Sequence, residues 1–209
     1  VSIAVADWLN ENNENPSVII GHDCRFAGEL FAETAAKVLA SKGVLVKLAK
    51  GFVSTPMVSL GVVNESASLG VVITASHNPP SYNGYKLKGD FGGPLLPNDI
   101  IAVENKIPDV NSVNYNAISM EVLLAEGKVI YIDLEEMYCK HAQASFDLEA
   151  IRNSDMNFAY DAMYGSGMNV IKRLLPEATL LHCDDNPGFL GIAPEPIHRN
   201  LQEFSDLMK

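Results

Sequence analysis

Apolar positions in the first half of the chain alternate between the spacing of an amphipathic helix and the short continuous runs typical of buried strands. In the segment 2–12, Ile3, Ala6 and Leu9 fall on one helical face, and Pro16 prevents the helix from extending further. The pattern then predicts strands at 17–21, 44–48 and 69–74, with helices at 29–41 and 55–64. Strand and helix therefore follow each other in regular order.

This alternating order predicts parallel strands with helices packed on both faces of the sheet. The Asn83–Gly84 pair adds a predicted two-residue hairpin turn, followed by a strand at 85–88. We therefore expect a three-layer α/β/α domain with a mixed, mostly parallel sheet. In sheets of this kind, ligands collect beyond the carboxyl ends of the strands.

The second half of the chain suggests a further domain. The pattern predicts a helix at 97–107, an Asn-rich surface connection at 109–117 and an amphipathic helix at 135–146 that leads into the next domain. The chain has 209 residues, more than one typical domain of about 100–150 residues. We expect the first domain to occupy 1–150 and an incomplete second domain of similar α/β type to occupy 151–209.

The composition and the net charge exclude some classes of binding partner. With 47% hydrophobic and 20% charged residues, the chain can form a buried core. Its 26 acidic and 15 basic residues give a net charge of −11, which repels nucleic acids and anionic membrane surfaces. We expect neither as a partner. A small anionic substrate remains compatible if local cations or helix amino ends dominate inside a cleft.

The cysteine pattern and the start of the sequence indicate the redox compartment of the protein and whether the sequence is part of a longer chain. Cys24, Cys139 and Cys183 are odd in number and lack CxxC spacing, which indicates neither a disulfide framework nor a zinc site and favours a reducing cytoplasm. No apolar run approaches the roughly 20 residues that cross a bilayer, and the first residues lack a signal-peptide pattern. Because the sequence starts without Met inside a predicted helix, we expect it to be part of a longer chain.

Candidate chemistry is concentrated after the third predicted strand, in the stretch TASHNPPSYNGYK. The Pro79–Pro80 pair restricts the backbone and keeps Asn78 out of helical geometry, so Ser76 and His77 are expected on a stiff loop tip. The predicted strand at 85–88 would place Lys86 beside that loop. Taken singly, such a Ser is usually a turn or cap residue and such a Lys a solvated charge.

Together, these thirteen residues closely resemble the active-site signature of the α-D-phosphohexomutases, a family that includes phosphoglucomutases and phosphomannomutases. The resemblance implies that Ser76 carries a phosphoryl group, that Lys86 acts near the proton transfer and that His77 lies beside the nucleophile. The following segment, 87–94, is similar to the phosphoglucomutase and phosphomannomutase branch.

A second stretch, Gly21–Arg25, resembles the GxDxR segment of the same family and implies that Arg25 lies near Ser76. Without the resemblance, a surface Arg paired with Asp23 or Glu29 is the preferred interpretation.

Two later stretches extend the resemblance into the second domain. The segment 157–167 resembles the strand and Gly-rich turn that open it, and Gly165–Gly167 lacks the third Gly of a dinucleotide fingerprint. The segment 186–197 resembles the loop that precedes the family's metal site. The DGDxDR-type loop that holds Mg²⁺ does not occur in 1–209. The resemblance therefore implies an incomplete Mg²⁺ site to which Ser76 contributes through its phosphoryl group, with the Asp ligands beyond Lys209.

The implied activity interconverts hexose 1-phosphate and hexose 6-phosphate through a phosphoserine and a hexose 1,6-bisphosphate. The implied catalytic residues are Ser76, His77, Lys86 and Arg25, with Lys86 as general base or its electrostatic partner, and we expect the 209-residue chain alone to be inactive. A non-catalytic phosphosugar-binding module is the alternative. A serine hydrolase is disfavoured because no GxSxG elbow surrounds Ser76.

Overall fold

Five strands form the main sheet of the computed structural model, which describes residues 1–209. The strands are β1 (Ser17–His22), β2 (Leu45–Ala49), β3 (Leu69–Ile73), β4 (Tyr85–Gly89) and β5 (Val129–Ile132). Their order in the sheet is β4-β3-β1-β2-β5. All neighbouring pairs are parallel except β3 and β4, which are antiparallel.

Two apolar layers cover the two faces of this sheet. Along β1, Val18 and Ile20 belong to a core cluster of 21 buried residues, whereas Ile19 belongs to a cluster of 11 on the opposite face, as the alternation of strand side chains requires. The larger cluster is completed by α1 (Ser2–Asn12), α2 (Gly28–Ser41), α4 (Pro97–Glu104) and α5 (Met120–Ala125). The smaller cluster is completed by α3 (Thr55–Asn64) and α6 (Leu134–Ser145).

A second, smaller sheet follows in the chain. Its parallel strands are β6 (Ala159–Asp161) and β7 (Thr179–Leu181), accompanied by α7 (Leu148–Arg152), α8 (Met168–Leu174) and α9 (Gln202–Leu207). Single 3-10 turns lie at Tyr115–Ala117, Phe189–Gly191 and His198–Asn200. A cluster of Cys24, Met168 and Cys183 joins this sheet to the first.

The structure confirms the predicted fold class, a mixed and mostly parallel sheet between helical layers. The predicted helix at 97–107 ends earlier, at Glu104, and β5 and α5 were not predicted. The predicted boundary at residue 150 falls within α7 and stays a prediction. No helix has both the length and the apolar character needed to cross a membrane.

The predicted Asn83–Gly84 hairpin turn is wrong, although the strand that it announced is present. The two-residue turn favoured by this pair requires positive φ at both residues, and neither residue has it. The long loop 74–84 joins β3 to β4 instead. Gly84 is needed there for another reason, since a Cβ at this position would lie 2.8 Å from the carbonyl oxygen of Thr74. The amide of Thr74 donates to the carbonyl of Gly84 at 3.0 Å, which holds the base of the loop closed.

Candidate active site

A cleft of about 530 Å³ opens where the carboxyl ends of β1, β3 and β6 face each other. This is the edge at which ligands bind in open α/β sheets. The main sheet and α3 supply one wall of the cleft, with Asp23, Cys24, Ser54, Thr55, Thr74, Ser76 and His77. The segment after β6 and the loop 189–196 supply the other, with Asp161, Ala162, Met163, Gly165, Ser166, Gly167, Phe189, Pro194 and Pro196.

Ser76 lies exposed in this cleft with a left-handed backbone conformation, at φ 58°. A residue with a side chain occupies that region rarely, and the surrounding contacts must hold it there. The amide of Ser76 donates to Thr74 Oγ1 at 3.0 Å, and the Thr74 hydroxyl in turn donates to Asp23 Oδ2. A buried hydroxyl thus links the end of β1 to the backbone of Ser76.

Arg25 fixes the rest of the loop from beneath. Its guanidinium is buried and donates to four backbone carbonyls, those of Ser76 at 2.9 Å, Asn78 at 2.7 Å, Pro79 at 2.8 Å and Tyr82 at 3.0 Å. It also lies 5.1 Å from the ring centroid of Phe189, and its Nε is 3.4 Å from Asp23 Oδ2. Arg25 therefore both pairs with Asp23 and lies beside Ser76. It is buried in the core, whereas the interpretation without the family resemblance placed it on the surface.

His77 points its ring toward the serine. Its Nδ1 lies 3.4 Å from Ser76 Oγ, and both residues are exposed. The structure therefore brings together three of the four predicted site residues: Ser76, His77 and Arg25.

Lys86 lies apart from these three, in a second cleft of about 540 Å³. In β4 it pairs opposite Val72, and it makes no hydrogen bond or ion pair with the serine loop. Thr55, at the start of α3, lines both clefts. Lys88 lines the same second cleft, and burial together with the charge of Lys86 lowers its pKa.

Asp161, at the end of β6, was not selected from the sequence as a site residue, although it lines the serine cleft. Its side chain is 4% exposed, and Oδ1 accepts from His182 Nδ1 and from the Met163 amide, both at 2.8 Å. Its other oxygen, Oδ2, is buried without a hydrogen-bond partner. His182 was expected to be an ordinary satisfied side chain, and the structure gives it this carboxylate partner. The sequence contains little sign of this pair, because Asp161 and His182 are 21 residues apart and follow no recognisable spacing.

Cys24 also lines the cleft, but as an inert thiol. Burial raises its pKa from 9.0 to about 12, opposed by a contact of 3.6 Å between its Sγ and Ser166 Oγ. Since the thiolate is the nucleophilic form, Cys24 is protonated and unreactive at neutral pH. Among the serine, threonine and cysteine side chains that line the cleft, Ser76 is the most exposed.

The residues around the cleft do not by themselves make a magnesium site. No group of three or more His, Cys, Asp or Glu side chains is arranged to hold a metal ion. Both oxygens of Asp23 already accept hydrogen bonds, from the Arg25 amide and the Thr74 hydroxyl, and Asp161 has one uncommitted oxygen.

The α/β/α fold, with its strained, exposed serine at the carboxyl edge of the sheet, agrees with the protein family whose models match this sequence. Residues 1–114 match the family model described as phosphoglucomutase/phosphomannomutase, alpha/beta/alpha domain I, and residues 136–209 match the model for domain II. The chain belongs to the phosphoglucomutase/phosphomannomutase family, which confirms the resemblance found in the sequence.

Individual relatives point the same way. The chain is 29% identical over 201 residues to a phosphoglucomutase of Staphylococcus haemolyticus, and 31% identical over 183 residues to one of Staphylococcus saprophyticus. These matches cover 92% and 85% of this chain but 36% and 32% of the relatives. The crystal structure of a candidate phosphomannomutase from Thermus thermophilus superposes with a TM-score of 0.86 at 31% identity, covering 99% of this chain and 46% of that one. The chain thus spans about a third of the length of the curated relatives.

Proposed function

We propose that this chain forms the phosphoserine-bearing part of a mutase that interconverts hexose 1-phosphate and hexose 6-phosphate, with Ser76 as the residue that carries the phosphoryl group. The observation that supports this most directly is the state of Ser76. It is the exposed nucleophile of a cleft whose loop is held by Thr74 and Arg25. In-line phosphoryl transfer depends chiefly on positioning and charge stabilisation, and a rigid serine supplies the first.

The amino end of α3 supplies favourable electrostatics for a phosphoryl group. Ser54 and Thr55 lie at this end and line the cleft, and the first turn of α3 contains no acidic residue. Unpaired amides and the helix dipole make such an end attractive to anions. This local field favours a phosphoryl group at this end of the cleft, although the net charge of −11 taken alone would repel a sugar phosphate.

The proposed reaction has two balanced halves. First, a hydroxyl of the hexose monophosphate attacks the phosphorus on Ser76, the bond between phosphorus and Ser76 Oγ breaks, and the sugar leaves this step as hexose 1,6-bisphosphate. The hydroxyl proton passes to a base. In the second half, Ser76 Oγ attacks the phosphorus of the other phosphoryl group of the reoriented bisphosphate, and the bond between that phosphorus and the sugar oxygen breaks. The base returns its proton to this sugar oxygen as the isomeric monophosphate leaves.

The other predicted site residues take distinct roles in this proposal. His77 is placed to orient phosphoryl oxygens beside Ser76 Oγ. Arg25, with its guanidinium committed to backbone carbonyls, is a positioning residue. A role for Lys86 in proton transfer rests on the resemblance. The cleft that contains Lys86 meets the cleft of Ser76 at Thr55, which lines both.

Mg²⁺ remains part of the proposal for the complete enzyme, where it would neutralise developing charge on the phosphoryl group. A phosphoryl group on Ser76 would be one ligand, and the residues of this chain do not complete the set. We therefore expect the 209-residue chain alone to show no turnover. Its three unpaired cysteines fit a reducing compartment, and we propose the cytoplasm.

The test is intact-mass analysis with peptide mapping after incubation with glucose 1,6-bisphosphate and Mg²⁺. It is done on this chain, on the longest parent protein obtainable and on the Ser76→Ala variant of that parent. The expected result is a gain of one phosphoryl group at Ser76 in the parent and none in the variant. Binding of sugar phosphate without phosphorylation in either would favour a non-catalytic binding module instead.

A further inference from the structure

Phe189 connects the second wall of the cleft to the residue that supports the serine loop. Its side chain is buried, and its ring lies over the guanidinium of Arg25, with 5.1 Å between the ring centroid and Arg25 Cζ. A guanidinium is planar and weakly hydrated, so an aromatic ring can cover its face while its N–H groups donate hydrogen bonds in the plane. The N–H groups of Arg25 bind the backbone of the loop 76–82, and its face packs against Phe189.

The ring of Phe189 is presented by a defined turn. Arg25 follows β1, whereas Phe189 begins a 3-10 turn in the loop after β7. Within this turn, the Phe189 amide donates to the Asn186 carbonyl at 2.9 Å, and the Phe189 carbonyl accepts from the Ile192 amide at 3.0 Å. The contact with Arg25 therefore joins two segments that are far apart in the sequence and are each held by their own hydrogen bonds.

Both residues that Arg25 connects have a left-handed backbone. Ser76 has φ 58° and Phe189 has φ 48°. Residues with a side chain persist in this region only where the surrounding contacts hold them. Arg25 contacts both, through its hydrogen bond of 2.9 Å to the Ser76 carbonyl and through the Phe189 ring. One guanidinium thus links the strained serine to a strained turn on the opposite wall.

The polar contacts of Arg25 are unevenly distributed. Its two terminal nitrogens make four hydrogen bonds to the loop, whereas its Nε makes none and lies 3.4 Å from Asp23 Oδ2. The ring of Phe189 limits tilting of the guanidinium out of the plane of those four bonds. Loss of the ring should therefore weaken the four bonds together.

We propose that Phe189 is a positioning residue for Ser76. By covering the guanidinium of Arg25, the turn that follows β7 fixes the conformation of the loop that presents the serine. The effect on the loop is independent of any reaction, whereas the consequence for phosphoryl transfer rests on the proposed function.

Amide hydrogen exchange in the 209-residue chain tests the coupling, measured relative to β2. The probes are Ser76, Asn78 and Tyr82, whose amides are hydrogen-bonded within the loop. Phe189→Leu keeps an apolar side chain but removes the aromatic face, and we expect about tenfold faster exchange at these amides. Phe189→Tyr keeps the ring and should restore most of the protection.

The matched control is Val170→Ala, a truncation in the buried cluster that includes Leu134 of α6. It should not accelerate exchange in the serine loop selectively. Unchanged exchange in Phe189→Leu, or equal acceleration in Phe189→Tyr or in Val170→Ala, would overturn the coupling. In the unaltered chain, nuclear Overhauser contacts between the guanidinium hydrogens of Arg25 and the Phe189 ring should be present, and their absence would also overturn it.

The longest parent protein obtainable gives a second readout, the rate at which Ser76 gains a phosphoryl group from glucose 1,6-bisphosphate with Mg²⁺. This rate should fall about tenfold in Phe189→Leu and recover in Phe189→Tyr, because in-line transfer depends on the position of the serine. An equal rate in Phe189→Leu and the unaltered parent would overturn the positioning role. If the unaltered parent gains no phosphoryl group, the proposed function fails, and the exchange results still decide whether Phe189 fixes the loop.

Discussion

The guanidinium of Arg25 donates a hydrogen bond of 2.9 Å to the backbone carbonyl of Ser76, the residue whose side chain faces the cleft. Three further carbonyls of the same loop are bound by the same group. One buried cation after β1 therefore determines the shape of the loop after β3. The loop conformation depends on this long-range contact as well as on its two prolines.

Replacing Arg25 with Ala should destabilise the protein and disorder the serine loop. The change leaves four backbone carbonyls without their donor and removes the ion pair between Arg25 Nε and Asp23 Oδ2. Removal of one member of a buried charged set lowers the free energy of unfolding by about 3 kcal/mol. Urea denaturation measures the loss. Arg199→Ala, at a side chain that is 78% exposed, is the control and should change stability by less than about 0.5 kcal/mol. Similar values for both variants would contradict the role given to Arg25.

The sequence predicted much of this arrangement. The apolar pattern located α1 and α3 at the observed bounds and placed Ser76 directly after β3. The position of Lys86 relative to Ser76 depends on the antiparallel register that sets Lys86 opposite Val72, which the apolar pattern does not specify. Asp161 was missed for a similar reason. Its partner His182 is brought to it by the pairing of β6 with β7, which a sequence pattern of three-residue strands does not specify.

The Thr74 hydroxyl should matter for stability as well as for the position of Ser76. Thr74→Val keeps the shape but leaves the Ser76 amide and Asp23 Oδ2 without a partner, which should cost about 2 kcal/mol. Thr74→Ser restores the hydroxyl and should recover most of the loss. Chemical denaturation of both variants decides the matter, with Thr34→Val as the control, because the half-exposed Thr34 hydroxyl donates only to a carbonyl of its own helix. The prediction fails if Val and Ser are equally destabilising at position 74.

At Ser76, the substitution that relieves backbone strain should stabilise the fold while it abolishes phosphorylation. A left-handed conformation costs a residue with a Cβ about 1–2 kcal/mol, a strain that glycine does not have. Ser76→Gly should therefore be up to about 1 kcal/mol more stable than Ser76→Ala, although neither variant can be phosphorylated at this position. At Ser112, where φ is not positive, the order of Gly and Ala should reverse. Thermal or urea unfolding of the four variants compares the two pairs.

Alkaline pH should weaken the fold through a buried thiol, that of Cys24, and a partly buried phenol, that of Tyr85. Burial raises the pKa of Cys24 from 9.0 to about 12, and that of Tyr85 from 10.0 to about 12. An unfolded chain loses these protons at lower pH than the folded one, so stability is full below pH 9 and declines as pH rises toward 12. Urea unfolding at stepped pH measures the slope, and Cys24→Ala should reduce it. A slope unchanged by that substitution would show that the thiol does not contribute.

The two walls of the cleft differ in how firmly they are anchored. Ser76 follows a central strand whose five residues are all buried, whereas neither β6 nor β7 contains a buried residue. Isolated two-stranded sheets are marginal in water, and local opening begins where burial is least. Amide hydrogen exchange should therefore be faster on the Asp161 wall than on the Ser76 wall. In the 209-residue chain, a ligand that contacts both walls should therefore slow amide exchange in the smaller sheet more than around Ser76.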